Sequence, residues 1–230
     1  MNGWEWLRGI APVSLCDWPE HVCSVLFFGG CNLRCPTCHN GAIAWHPHSL
    51  PALSYEETMH DLIKRRTWLD GIVVTGGEAS IVPGVETVFR DLKQLGLPIK
   101  LDSNGMRPDL VSGFLEQGLV DCFAVDVKGP WAKYPALTGS RVDPGSARAN
   151  LEAIFALATR HPDRFYFRCT RVPGLSESDL VLTQSYLPEG FELILQQYIE
   201  PPETDCSQDK SLVMPNVIPK NDFSPGYDHA

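Results

Sequence analysis

No stretch of the 230-residue chain reaches the roughly 18 consecutive apolar residues that a membrane-spanning helix needs. The opening Met1-Asn2-Gly3-Trp4-Glu5-Trp6 has neither the basic start nor the apolar core of a secretory signal, so a cytoplasmic location is expected. Positive charge is scarce. Against 28 Asp and Glu stand 19 Lys and Arg, a net charge of −9, which excludes a general nucleic-acid-binding surface because that needs a basic footprint. The local run Lys64-Arg65-Arg66 reads as the solvated face of a helix. No Ser-His-Asp pattern is apparent. Nor is there a second group of cysteines. Of eight, three bunch between positions 31 and 38, while Cys16, Cys23, Cys122, Cys169 and Cys206 are scattered. That distribution argues against a disulfide framework and against two clusters. Cys23, Cys122 and Cys169, each inside an apolar run, read as small buried hydrophobes.

What the chain does have is alternation. Apolar runs at 22–28, 71–75, 98–101, 122–127, 164–170 and 191–196 read as strands. Between them lie helical patterns. Ser54-x-x-Glu57 has the form of a capping box ahead of Met59, Leu62 and Ile63. Val85, Val88, Phe89, Leu92 and Leu95 repeat at helical spacing until Gly96. Leu110 to Leu115, Leu151 to Ala158 and a segment from Ser176 to Leu187, opened by Ser176-x-x-Asp179, continue the series. Six strand–helix units, the last without a clear helix, imply parallel strands. A closed eight-unit barrel takes about 250 residues. The expected fold is therefore α/β: a single-domain, partial (β/α)6 barrel over residues 22–199. An extension at 1–21 would pack on the barrel through Trp4, Trp6 and Trp18. A tail at 200–230, with Pro201, Pro202, Pro215, Pro219 and Pro225, has too little periodicity to bury much.

Polar residues gather where each apolar run stops. Cys31-x3-Cys35-x2-Cys38 follows the first, Gly76-Gly77-Glu78 the second and Asp102-Ser103-Asn104-Gly105 the third. Asp126-Val127-Lys128 ends the fourth, Arg168 to Arg171 the fifth and Gln196-Gln197 the sixth. In a parallel barrel these ends share one face, where active sites are built. Three thiolates this close can converge on one inorganic centre, and soft donors suit iron–sulfur clusters or zinc. Two readings stay open on spacing alone. A cluster held by three cysteines would leave one iron free for a non-protein ligand. A structural zinc site would need His39 as a fourth ligand, although His39 directly follows Cys38. Glycines at 76 and 77 allow backbone to approach a ligand, and Glu78 offers an acceptor for an ammonium group. Asp102 and Asp126, on neighbouring strand ends, can bind a cation or transfer protons. Lys128 can neutralise that pair or face a substrate.

The cysteine run, with Asp17-Trp18-Pro19 upstream and Cys38-His39-Asn40 at its end, resembles the signature of the radical S-adenosylmethionine (SAM) superfamily. Within that superfamily it looks like the activating proteins of anaerobic ribonucleoside-triphosphate reductase. The resemblance spans residues 7–197. It implies a (β/α)6 core and a 4Fe-4S cluster on Cys31, Cys35 and Cys38, with SAM chelating the fourth iron. The segment at Gly76, Gly77 and Glu78 would contact the SAM amino group. Arg168, five residues before Pro173-Gly174, would contact a carboxylate or ribose oxygen, and Gln196 or Gln197 falls where relatives contact SAM. A monovalent cation would sit near Asp102, Ser103 and Asp126 with a carbonyl near Ala124. The implied activity is reductive cleavage of SAM to a 5′-deoxyadenosyl radical that makes a glycyl radical on a partner enzyme, fed by flavodoxin or ferredoxin. Two positions depart from the family pattern: Thr37 stands where an aromatic is common, and Ala79 where proline is usual. The competing expectations are a small-molecule radical SAM enzyme of the 7-carboxy-7-deazaguanine synthase type and a zinc-stabilised binding module.

Overall fold

The alternating runs become strands and helices in the computed structural model, which describes residues 2–200. The strands are β1 (Leu7–Ser14), β2 (Cys23–Phe28), β3 (Gly71–Gly76), β4 (Ile99–Ser103), β5 (Cys122–Asp126), β6 (Phe165–Arg171) and β7 (Leu193–Gln197). The helices are α1 (Gly41–Trp45), α2 (Tyr55–Arg65), α3 (Val85–Lys93), α4 (Pro108–Glu116), α5 (Tyr134–Leu137), α6 (Pro144–Arg160) and α7 (Glu177–Gln184). All six expected strands are present as β2 to β7, parallel and paired in chain order. Their ends shift by only one or two residues. Within the seven-stranded sheet, β1 and β7 are the two edges, so the barrel is open between them. The expected tail beyond Glu200 lies outside the described residues.

β1 was not expected. It pairs antiparallel with β2, so the first residues extend the sheet. Gly9 and Pro12 hid the strand by interrupting its alternation. Pro12 is tolerated because β1 is an edge and its register slips between Ala11 and Ser14. Trp4 and Trp18 are buried as packing residues. The indole of Trp4 also donates to Asp91 at 2.8 Å.

The helices follow their apolar faces with two corrections. In α2, Ser54 accepts from Glu57 N at 3.2 Å, but its hydroxyl donates to Glu56, so half of the expected capping box forms. Ile63 is 49% exposed and leaves that helix's buried face to Thr58 and Leu62. α7 does open with a complete box between Ser176 and Asp179. It stops at Gln184 short of Leu187, since Pro188 disfavours helical geometry in the residue before it.

Strand alternation then sorts the interior into two regions. Phe28, Val74, Leu101, Phe123 and Phe167 face the helices and build the main core with Val88, Phe89, Leu92, Leu151 and Ile154. The opposite face carries a small apolar cluster of Trp18, Cys23, Val25 and Val73. Farther along that face, toward the strand ends, apolar residues give way to charged ones. That change prepares the site.

Candidate active site

A cavity of about 690 Å³ opens where the parallel strands end. Every expected site residue lines it: Cys31, Cys35, Cys38, Gly76, Gly77, Glu78, Asp102, Ser103, Asp126, Lys128, Arg168 and Gln197. Thr37, His39 and Gln196 border it too. Gln196 pairs in register with Thr170 and Gln197 with Arg171, so only Gln196 shares the face that bears Arg168.

The cysteines sit on the loop between β2 and α1, each half-buried. A turn closes on Cys38 N to Cys35 O at 3.0 Å, and Leu33 N donates to Cys31 Sγ at 3.3 Å. Arg34 clamps the loop by donating to the carbonyls of Cys31 and Leu33. Burial pushes the Cys31 thiol up to about 12 and raises Cys38 as well. A free thiolate is therefore disfavoured here, whereas a metal that displaces the proton would stabilise the anion. Three soft donors on one wall fit a cluster held by three cysteines. Among the described residues, no three His, Cys, Asp or Glu side chains gather closely enough to share one metal ion. His39 borders the same cavity and is exposed.

The loop after β3 is stitched to the base of the cysteine loop. Gly77 N donates to Phe28 O at 2.9 Å and Glu78 N to Gly30 O at 2.8 Å. A Cβ on Gly77 would lie 2.0 Å from the Gly30 carbonyl oxygen, so only glycine fits. Asn40 Nδ2 donates to Gly76 O at 3.0 Å, and Asn104 Nδ2 to Asn32 Oδ1 at 2.8 Å. These asparagines tie the cysteine loop to β3 and β4. Sequence patterns missed both ties: Asn40 stood out only as the end of the cysteine run, and Asn104-Gly105 alone reads as a turn.

Glu78 borders the cavity as expected and is tied into its wall. It is 1% exposed and already accepts from Ser80 and Ser103 through Oε1 and from Asn104 N through Oε2. Burial raises its pKa despite those three bonds. Its carboxyl fastens the β3 and β4 ends together.

Below the loops runs a ladder of alternating charge. Lys100 Nζ lies 2.8 Å from Asp102 Oδ1, and Arg168 Nη1 lies 3.4 Å from Asp102 Oδ2. Arg168 Nη2 reaches Asp126 Oδ1 at 3.0 Å, and Lys128 Nζ stands 3.4 Å from Asp126 Oδ2. Burial opposes the Asp126 charge, but Arg168 and then Lys128 outweigh it and hold its carboxyl below the usual range. Of the two roles open to Lys128, the neutralising contact with Asp126 is present, and the residue also borders the cavity. Arg168 also gains more from the two carboxylates than it loses by burial, so its pKa rises. Lys100 was overlooked. It stands in the strand run that ends at Asp102, two residues earlier and hence on the same face.

Soft donors above a buried ionic ladder, on an open parallel barrel, define a class: barrel enzymes that work through a metal–sulfur centre at the strand ends. Residues 25–187 match the radical SAM superfamily, and the chain belongs to that superfamily. A protein of Methanocaldococcus jannaschii, provisionally described as a glycyl-radical enzyme activating enzyme, is 28% identical over 210 residues, 91% of this chain and 86% of that protein. Pyruvate formate-lyase 1-activating enzyme of Escherichia coli is 33% identical over 86 residues, 35% of each chain. Among solved structures, Streptococcus suis SuiB bound to S-adenosylmethionine superposes with a TM-score of 0.56 at 12% identity. The match covers 78% of this chain but 43% of SuiB, and it shows a shared fold alone.

Proposed function

We propose that this protein is a glycyl-radical enzyme activase, and that its partner is an anaerobic ribonucleoside-triphosphate reductase. The observation that carries this is one open cavity bordered by three cysteine thiols, the Gly76-Gly77 backbone and the Asp102–Arg168–Asp126 ladder. Cys31, Cys35 and Cys38 would hold a 4Fe-4S cluster, with SAM bound in the same cavity. Bound there and reduced, such a cluster would supply the electron for reductive cleavage of SAM, the source of the hydrogen-abstracting power needed at a glycine Cα of the partner.

The chain's own residues bind and orient. The Gly76 carbonyl, fixed by Asn40, offers an acceptor at the pocket wall. Arg168 and Lys128 place positive charge where a carboxylate would enter. Gln197 and Gln196 border the open side between β7 and β1, where a peptide loop can approach. Residues 22–199 would be the catalytic unit, reduced by flavodoxin or ferredoxin in the cytoplasm. Among the described residues no helix is long and apolar enough to cross a membrane. The monovalent cation that the resemblance implies is left out, because Asp102 and Asp126 already face cationic side chains.

The test is anaerobic reconstitution with iron and sulfide, reduction, addition of SAM and assay of 5′-deoxyadenosine. Product that vanishes in the Cys31→Ala/Cys35→Ala/Cys38→Ala variant is expected. The purified reductase must then acquire a glycyl radical seen by electron paramagnetic resonance. Zinc at one per chain without iron or sulfide would sink the proposal. Turnover of a deazapurine precursor with no radical on any reductase would move the assignment to the small-molecule branch.

A further inference from the structure

Lys100 is the most deeply buried of the charged residues in the ladder, with a fully buried side chain. It is not among the residues that line the cavity, although two that do, Asp102 and Asp17, hold its ammonium. Its neighbours are Asp102 Oδ1 at 2.8 Å, the hydroxyl of Tyr166 at 2.9 Å and the backbone carbonyl of Asp17. A carboxylate, a carbonyl and a phenol form an all-oxygen shell of the kind hard cations take. Burial opposes the lysine charge, but Asp102 and then Tyr166 outweigh that and raise its pKa, so the ammonium stays charged.

The electrostatics of Asp102 make this charge necessary. Its carboxylate is 14% exposed, and Arg168 serves only Oδ2 while dividing its fork with Asp126. Oδ1 is fully buried and forms no well-directed hydrogen bond; the Lys100 ammonium is its counter-charge. Without that charge, an anionic oxygen would be left buried and unpaired.

We propose that Lys100 is a covalently tethered monovalent cation: its ammonium occupies an oxygen-lined cation position beside the cofactor pocket, so the protein binds SAM without a free alkali-metal ion. Lys100 is a positioning residue that acts through Asp102. The assignment builds on the radical SAM reading only for its SAM arm; the cation arm stands alone.

The experiment exchanges cations at constant ionic strength on the anaerobically reconstituted full chain, with choline, K⁺ or Na⁺ as the only monovalent cation. Melting temperature and SAM affinity by calorimetry are read in parallel. Wild type should show the same melting temperature and the same SAM Kd, within twofold, in all three. Lys100→Ala should melt lower in choline, bind SAM at least tenfold more weakly, and recover both properties saturably with K⁺, Na⁺ or methylammonium. In Lys100→Ala/Asp102→Asn, where the buried carboxylate is gone, the added cations should have no effect.

A saturable gain by wild type in K⁺ would show a separate ion site and overturn the proposal. So would Lys100→Ala that stays weakened in every cation, which would make Lys100 a packing residue. Should Lys100→Ala not fold in choline, its yield of folded protein on transfer to K⁺ or methylammonium reports the same result, recovery supporting and its absence refuting. SAM binding absent from wild type would instead refute the radical SAM function, and the melting arm would still decide the role of Lys100.

Discussion

Replacing Arg168 by Met tests the ladder at its centre. The side chain is 12% exposed, and its fork spans Asp102 at 3.4 Å and Asp126 at 3.0 Å. At an effective dielectric constant near 20, each contact carries a gross attraction of about 5 kcal/mol, much of it offset by the cost of burying the guanidinium. Removing one member of a buried ionic network costs about 3–5 kcal/mol, because the partners are left uncompensated. Asp102 would keep Lys100 and Asp126 would keep Lys128, so the lower end of that range is expected at pH 7. The pH dependence distinguishes the cause. In wild type the depressed Asp126 carboxyl contributes stability above its unfolded pKa of about 3.9, and that stability disappears as pH falls through the lower folded value. Without Arg168 the folded-state pKa rises, so the variant takes up a proton on folding at mildly acidic pH. The stability gap should therefore narrow from pH 7 toward pH 4. Urea unfolding of both proteins at several pH values measures it. A gap below about 1 kcal/mol that does not change with pH would refute the ladder, since solvated ion pairs behave that way.

Other outcomes follow from single contacts. Cys35→Ala should abolish bound iron and sulfide while the secondary structure by circular dichroism persists; retention of both cluster and SAM cleavage would reject it as a ligand. Asn40→Ala removes the 3.0 Å bond to the Gly76 carbonyl, worth about 1 kcal/mol, so SAM should bind about fivefold more weakly with iron content unchanged. Calorimetry on the reconstituted protein checks this, and unaltered affinity would detach Asn40 from the pocket wall. Ser176→Ala breaks the capping box of α7 and should lower stability by about 1 kcal/mol with no effect on SAM binding, as read from urea midpoints.

Much of this was legible before any coordinates, for identifiable reasons. β2, β3 and β5 are covered on both faces and read as near-continuous apolar runs, while β4 and β6 keep one apolar face in Ile99 and Leu101 and in Phe165, Phe167 and Cys169, and both kinds stand out against polar loops. The parallel order then forces their ends, and the polar residues there, onto one side. That rule brought six polar segments to one face, and the resemblance to radical SAM enzymes picked out the twelve residues within them, all of which border one cavity. β1 escaped because an edge strand tolerates Gly9 and Pro12, which erase the alternation that would reveal it. α2 looked wider in its buried face than it is, since Ile63 continues the helical period but meets no neighbour that covers it.

The roles of the charged residues were harder to read, because role depends on register across strands. Asp126 pairs directly with Arg168, and Asp102 with Ala124, so Arg168 stands two strands away from Asp102 and reaches both carboxylates only across the alanine between them. A large residue at position 124 would block that reach. The small side chain at Ala124 is therefore part of the ladder, although it carries no charge. Ala124→Leu should separate Arg168 from Asp102 while leaving the Asp126 contact in place. Its effect on SAM affinity should then resemble that of Asp102→Asn, and the two changes combined should cost less than their sum. Strict additivity, measured by calorimetry over the four proteins, would mean that Asp102 and Arg168 act on the pocket independently.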